Sequence, residues 1–141
     1  ALIVRLSKIY GTKKSDGTFI DVMAKKLITG KTLNVASDQI FNPTFINDVV
    51  KVVFDLVRSN VTGLVNLCNP ESLSRYKIAK VLAHKLGARM TQIRNISIND
   101  IRINALRPKN TSMRPNDHPV IKSYNYMPID TAIEIIAKNW L

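Results

Sequence analysis

The sequence predicts an α/β domain built from short buried strands that alternate with amphipathic helices. Three apolar segments, at 1–9, 33–36 and 63–68, are rich in Val, Ile, Leu and Ala and end at turn-forming or polar residues, which is typical of buried strands. Between and after them, apolar residues recur every three or four positions, as on one face of a helix. This alternation favours a parallel sheet with helices packed against it.

The first strand opens the chain. Segment 1–9 is apolar almost throughout, which indicates a strand covered on both faces, as in a parallel sheet. We expect it to share one sheet with 63–68, and we expect that sheet to be incomplete, because the predicted helices supply too little apolar surface to cover it. A helical stripe follows and ends before Gly30, a residue suited to the position after a helix; its members are Phe19, Val22, Met23 and Leu27.

The stretch after the second strand combines polar, turn-forming and helix-starting residues. Asp38 and Gln39 follow the strand directly, and strand ends are where α/β proteins present ligand-contacting groups. Asn42 and Pro43 predict a turn, because the residue before a proline avoids the helical region. Asp48 suits the first turn of a helix, where negative charge meets the positive end of the helix dipole. We expect this stretch to form one wall of a ligand site.

The third strand leads through a turn into the next predicted helix. Ser72 or Ser74 can cap this helix by accepting a backbone N–H bond, and Gly87 suits its end. On the helix, Tyr76 and Lys80 have the one-turn spacing of a catalytic tyrosine–lysine pair. No strand with a polar partner precedes them at the expected place, so we interpret this pair as part of a packing helix.

The last third of the chain carries an edge strand and a closing helix. Segment 90–98 alternates apolar and polar residues, as an edge strand does. Asp130 can cap a last helix, whose apolar stripe reaches Trp140. We therefore expect the carboxyl end to pack on the body of the domain.

Composition sets broad limits. The 141 residues suffice for one domain with a core, and 45% hydrophobic with 22% charged residues describe a globular protein with no membrane-spanning run. A single cysteine, Cys68, excludes an internal disulfide and a cysteine-rich metal site, and fits a cytoplasmic, reducing location. The net charge of +11 is compatible with nucleic acid, an acidic surface or a phosphorylated ligand, although the cations are scattered.

The first apolar segment ends in the motif Arg-Leu-Ser-Lys-Ile-Tyr-Gly at 5–11. This motif resembles the Arg-Thr-Ser-Trp-x-Tyr-Gly strand of dTDP-4-dehydrorhamnose reductases, members of the extended short-chain dehydrogenase/reductase family. Asp-Gln followed by Pro-Thr at 38–44, the Gly-x-x-Asn strand at 63–66 and Arg-Pro at 107–108 are similar to later segments. Lys8 departs from the pattern, which places an aromatic side chain there against the sugar, so the identity of the sugar is left open.

The resemblance implies that residues 1–141 are the C-terminal, substrate-binding portion of an NAD(P)-binding, Rossmann-like enzyme, with a small mixed α/β substrate-binding lobe. It implies that the intact protein reduces a 4-keto-6-deoxy nucleotide sugar, with NADPH or NADH as hydride donor, in dTDP-rhamnose and cell-surface polysaccharide biosynthesis. The resemblance assigns substrate binding to Asp38, Gln39, Thr44 and Arg107, and the cofactor–sugar junction to Ser7, Lys8 and Tyr10.

The glycine-rich phosphate loop of such enzymes is missing, since all five glycines are isolated. We therefore expect the dinucleotide-binding half and the catalytic Tyr/Lys pair to lie before Ala1. We expect residues 1–141 alone to be inactive. Two alternatives rank below the reductase: a non-catalytic regulatory or binding subunit with the same fold, and a basic nucleic-acid-binding domain whose affinity falls with salt. The oligomeric state, including a homodimer, stays open.

Overall fold

The computed structural model describes residues 1–101 and 104–141 as eight short strands and five α-helices. The strands are β1 (Leu2–Leu6), β2 (Ile9–Tyr10), β3 (Leu33–Ala36), β4 (Ile40–Phe41), β5 (Thr44–Phe45), β6 (Gly63–Leu67), β7 (Leu73–Ser74) and β8 (Ile93–Ile96). The helices are α1 (Phe19–Ile28), α2 (Ile46–Arg58), α3 (Arg75–Leu86), α4 (Pro119–Lys122) and α5 (Ile129–Trp140). No helix among these has the length and apolarity needed to cross a membrane.

Parallel pairing dominates the strands, as the sequence predicts. β1 pairs with β6, β2 with β5, and β3 with β8, all parallel, whereas β4 and β7 are antiparallel. The prediction that 1–9 and 63–68 share one sheet is confirmed. One face of that sheet is open among the described residues, because Ile3 and Leu64, neighbours in register, are 59% and 46% exposed.

The predicted strand at 1–9 is interrupted in the structure, which corrects the prediction of one continuous element. β1 ends at Leu6, and the chain then changes partner from β6 to β5. At the break, the Lys8 carbonyl accepts a hydrogen bond from the Thr44 N–H at 2.9 Å, and the Ser7 hydroxyl accepts one from the Asn42 N–H at 3.1 Å. The break leaves Ser7 and Lys8 outside any strand.

Two apolar cores hold these elements together. The first lies among α1, α3, α5 and β3, and buries aromatic side chains from β2, β4 and β5 as well. In the second, Val49, Val52 and Leu56 of α2 cover the β1–β6 pair through Val65 and Leu67. Packing of the helices against the strands buries apolar surface, which stabilises the fold by about 25 cal/mol per Å² removed from water. Each core therefore holds one group of strands against the helices that cover it.

Helix ends agree with the sequence in part. The Ser74 hydroxyl caps α3 by accepting from the Lys77 N–H at 3.1 Å, and Gly87 ends it with a φ of 67°, as predicted. The prediction that Asp130 caps the last helix is wrong: α5 begins at Ile129, after Pro128, so Asp130 lies inside the first turn. A rigid proline next to the helix start replaces the side-chain cap.

Two buried side chains, Asp48 and Cys68, have different surroundings. Asp48 lies in the first turn of α2, as predicted, but its carboxylate accepts from the Tyr124 hydroxyl at 3.0 Å and the Met127 N–H at 2.8 Å. It thereby attaches the segment before α5 to α2. Cys68 is fully buried, and this burial raises the pKa of its thiol to about 11. Cys68 is therefore a core residue.

Candidate functional site

A pocket of about 270 Å³ lies where four separate parts of the chain meet. These are the break between β1 and β2, the β3–β4 connection with β4, the first residue of α3, and the segment that contains Arg107. The lining residues are Leu6, Ser7, Lys8, Gln39, Phe41, Arg75, Arg107 and Thr111. Four residues that the sequence assigns to ligand binding are thus together: Ser7, Lys8, Gln39 and Arg107.

Asn42 connects three of these parts, although it does not line the pocket. Its side chain is buried, at 1% exposure; its Nδ2 donates to the Asn69 carbonyl at 3.0 Å, and its Oδ1 accepts from the Met113 N–H at 2.6 Å. Its backbone N–H donates to Ser7 at 3.1 Å. The turn at Asn42 and Pro43 is therefore held by hydrogen bonds to residues far away in the sequence.

Backbone hydrogen bonds complete the framework. The Ile40 N–H donates to the Lys109 carbonyl at 2.8 Å, and the Thr111 N–H donates back to the Ile40 carbonyl at 2.9 Å. The Arg75 N–H donates to the Gln39 carbonyl at 3.1 Å. These bonds hold the Arg107 segment along β4 and place the start of α3 beside Gln39.

Three cations face this pocket. Burial, and then the positive charges of Arg75 and Arg107, lower the pKa of Lys8 from its ordinary value. Burial and the charge of Arg107 likewise lower the pKa of Arg75. Within the described ranges, no carboxylate oxygen lies within 4.0 Å of any of the three charged groups. The pocket is therefore positive and lacks a counter-charge of its own.

Aromatic faces hold two of the cations in place. The guanidinium carbon of Arg75 lies 5.3 Å from the ring centre of Phe19 and 5.8 Å from that of Phe41. The Lys8 Nζ lies 5.9 Å from the Phe19 ring centre. Contacts of this geometry attract a cation by about 0.5–2 kcal/mol, which offsets part of the repulsion among the three charges.

Tyr10 and Thr44, also assigned to the site by the resemblance, are placed in the core instead. Tyr10 is fully buried, with its ring 5.9 Å from that of Phe45, and burial raises the pKa of its hydroxyl. The Thr44 hydroxyl accepts from the Asn69 N–H at 3.0 Å and donates to the Asn42 carbonyl at 3.1 Å. Neither side chain lines the pocket, because each already serves the packing around it.

Asp38 differs from the expectation in a similar way. Its carboxylate accepts from the Ser97 hydroxyl and the Ile98 N–H, both at 2.8 Å, and these bonds hold the pKa of Asp38 below its ordinary value. Lys109 lies 3.8 Å away. The side chain thus joins the end of β3 to the turn after β8, next to the pocket rather than in it.

Arg75 was not among the residues predicted for the site. A signal for it exists in the sequence, because it follows the helix cap Ser74 and so stands at the positive end of a helix, where a cation is unfavourable. A residue that violates a local preference often serves a function. Thr111, by contrast, carries no such signal, and both its N–H and its hydroxyl donate to the Ile40 carbonyl, at 2.9 and 3.3 Å.

Comparison with known proteins identifies the family. Residues 1–134 match the family model described as the RmlD substrate binding domain. The chain belongs to this family. Over 85 residues it is 33% identical to the spore coat polysaccharide biosynthesis protein SpsK of Bacillus subtilis (strain 168), a stretch that covers 60% of this chain and 29% of that protein.

Solved structures show the same fold for this RmlD-family chain. It matches dTDP-4-dehydrorhamnose reductase (rfbD) from Bacillus anthracis str. Ames in complex with NADP with a TM-score of 0.78, at 24% identity, over 94% of this chain and 46% of that one. It matches dTDP-4-dehydrorhamnose reductase from Yersinia enterocolitica with a TM-score of 0.81, at 15% identity, over 99% of this chain and 50% of that one. The predicted fold class, Rossmann-like and of the extended short-chain dehydrogenase/reductase type, is confirmed, and the chain spans about half the length of these structures.

The sequence signature of a dinucleotide site can be compared with the residues of this chain. Such sites place the pyrophosphate on a glycine-rich turn between a strand and a helix, and the five glycines of this sequence are all isolated. Of the residues expected at the cofactor–sugar junction, Ser7 and Lys8 line the pocket while Tyr10 is in the core. Nor do the described residues include a cluster of three His, Cys, Asp or Glu side chains able to hold a metal ion. The polar groups that line the pocket are two guanidiniums, one ammonium, one amide and two hydroxyls.

Proposed function

We propose that this chain is the nucleotide-sugar-binding portion of an NAD(P)H-dependent reductase that acts on a 4-keto-6-deoxy nucleotide sugar. The observation that supports this proposal is the pocket, which joins Ser7, Lys8, Gln39 and Arg107 in a positive environment without a carboxylate among its lining residues. A nucleotide sugar carries a negatively charged diphosphate and a polar ring, so it matches cations beside neutral hydrogen-bonding groups.

The side chains divide this work by their chemistry. The guanidinium of Arg107 can donate two parallel hydrogen bonds to phosphate oxygens, a geometry that a lysine cannot provide. The Gln39 amide and the Ser7 hydroxyl can both donate and accept, which suits sugar hydroxyls. These residues bind and orient the substrate. Hydride and proton transfer belong, in this proposal, to the cofactor and to a proton donor outside these residues.

The proposal also includes a dinucleotide-binding half that covers an exposed apolar surface of this chain. Exposed apolar side chains occur on the open face of the β1–β6 sheet, at Ile3 and Leu64, and along the outer side of α2. On α2 they are Val50, Phe54 and Val57, each 60–61% exposed. An apolar surface of this kind marks a contact with other protein. We infer that the dinucleotide-binding half packs here, and we place the assembled enzyme in the cytoplasm.

Calorimetric titration of the chain with a dTDP-sugar and with NADPH tests the proposal. We expect the dTDP-sugar to bind and NADPH to bind weakly or undetectably, and we expect no reduction of a keto sugar by these residues alone. Turnover by the isolated chain, or failure of the dTDP-sugar to bind, would refute it. In the full-length protein, binding of the dTDP-sugar with turnover identifies a reductase, whereas binding without turnover identifies a non-catalytic subunit.

A further inference from the structure

We propose that Arg75 is a ligand-binding residue and that it forms, together with Lys8 and Arg107, an oxyanion site within the pocket. The inference rests on the proposed function, since it assumes that the pocket holds a nucleotide sugar. It goes further by naming the group that is recognised: a phosphoryl or carboxylate group of the ligand. The diphosphate of the nucleotide and an acid group on the sugar are the two sources of such an oxyanion.

The charge balance of the pocket is the first step. Three cations line a pocket of about 270 Å³. The described part of the chain places no carboxylate oxygen within 4.0 Å of their charged groups. Partly buried charges without partners destabilise a fold, because burial removes water and nothing replaces it. A bound dianion would neutralise two of the three positive charges. Asp38, the residue before Gln39, already accepts hydrogen bonds from Ser97 and Ile98 and lies 3.8 Å from the Lys109 ammonium.

The unused hydrogen-bonding capacity of Arg75 is the second step. Its Nε is buried without an acceptor, and the hydrogen bonds of the described residues include none donated by its guanidinium. An arginine retained for structure spends its donors on carbonyls or carboxylates. The hydrogen bond between Arg75 and the Gln39 carbonyl, at 3.1 Å, is donated by the backbone N–H of Arg75.

The orientation of Arg75 is the third step. Contacts with the rings of Phe19 and Phe41 hold the guanidinium in one place before any ligand arrives. Preorganisation of this kind lowers the entropic cost of binding, since the side chain is already ordered. The planar fork then presents parallel N–H groups to an oxyanion, the arrangement by which arginine recognises phosphate and carboxylate.

Binding of sodium pyrophosphate, dTDP, UDP-glucose and UDP-glucuronate to four proteins tests the inference: the natural chain, Arg75→Met, Arg75→Lys and Arg94→Gln. Methionine keeps the apolar contact with the two rings and removes the charge. Arg94 lies exposed on β8, away from the pocket, and serves as the matched loss of one positive charge. We expect Arg75→Met to weaken pyrophosphate binding about ten- to a hundred-fold, the range for a lost charge-assisted hydrogen bond.

The other variants define the remaining outcomes. Arg75→Lys should restore part of the affinity, and Arg94→Gln should change it less than about two-fold, since its charge acts only through screened solvent. An equal loss for dTDP and both UDP-sugars indicates that the site takes the diphosphate, whereas a loss confined to UDP-glucuronate indicates the sugar carboxylate. Unchanged affinity of Arg75→Met for all four ligands would overturn the inference.

A stability measurement separates binding from a structural role. Removing one cation from a positive cluster relieves repulsion, so Arg75→Met should melt at the same temperature as the natural chain or higher. A lower melting temperature together with an unchanged pyrophosphate affinity would identify a purely structural residue. Pyrophosphate binding that depends on Arg75, without any binding of nucleotide sugars, would retain the oxyanion site and refute the proposed function.

Discussion

Replacement of Asn42 by Ala tests how the pocket is held together. The side chain makes hydrogen bonds of 3.0 Å to Asn69 and 2.6 Å from Met113, with a longer one of 3.4 Å to the Glu71 carbonyl. At about 1 kcal/mol for each of the two short bonds, plus about 1 kcal/mol for leaving the Met113 N–H without a partner, the loss amounts to about 3 kcal/mol. For a chain of 141 residues this corresponds to about 10 °C in melting temperature.

Urea unfolding followed by circular dichroism gives this loss directly, with Asn47→Ala as the matched control. Asn47 is exposed, so its replacement should change the free energy of unfolding by less than about 0.5 kcal/mol. Asn42→Asp should cost at least as much as Asn42→Ala, because an oxygen then faces the carbonyls of Asn69 and Glu71. A loss under about 1 kcal/mol for Asn42→Ala would refute the reasoning, as would full ligand affinity in a variant that has lost 3 kcal/mol.

Two further predictions concern binding and pH. If the proposed function holds, Arg107→Ala in the intact protein should weaken nucleotide-sugar binding by about 1.5–3 kcal/mol and leave cofactor affinity nearly unchanged. An unchanged sugar affinity, measured by calorimetry, would make Arg107 a solvated loop residue. Burial raises the pKa of Cys68 to about 11, from 9.0, and that of Tyr126 to about 12, from 10.0. The unfolded chain therefore loses these protons first, so stability should be complete below about pH 9 and fall as the pH rises toward 12. Urea midpoints at pH 7–11 should show this fall with a shallower slope in Tyr126→Phe, and an equal slope in that variant would contradict the assignment.

The elements of the fold follow from local signals. Apolar segments bounded by turns predicted the strands β1 and β6, and Ser74 and Gly87 predicted the two ends of α3. These signals can be read from the sequence because they act within a few residues. Where a neighbour in space decided the conformation, prediction was less complete. The first strand ends before Ser7, where the Asn42 N–H donates to the Ser7 hydroxyl and the Thr44 N–H donates to the Lys8 carbonyl. Nothing in the apolar run of 1–9 signals that change of partner.

The candidate site divides in the same way. The motif resemblance named Ser7, Lys8, Gln39 and Arg107, and the pocket joins all four. It also named Tyr10, Thr44 and Asp38, whose polar groups the structure places in the core or in contacts between segments. A polar side chain near a strand end can serve either a ligand or the backbone, and the sequence around it is the same in both cases.

The sequence by itself determined the class of the fold and the apolar segments that form β1 and β6, since hydrophobic period and turn residues are local properties. Only the tertiary structure decided the role of Asn42, which bonds to Met113 across 71 positions, and the approach of Arg75 to Lys8 and Arg107. Both depend on contacts between segments far apart in the chain. Such contacts form when the two cores bring those segments together, and no local pattern encodes them.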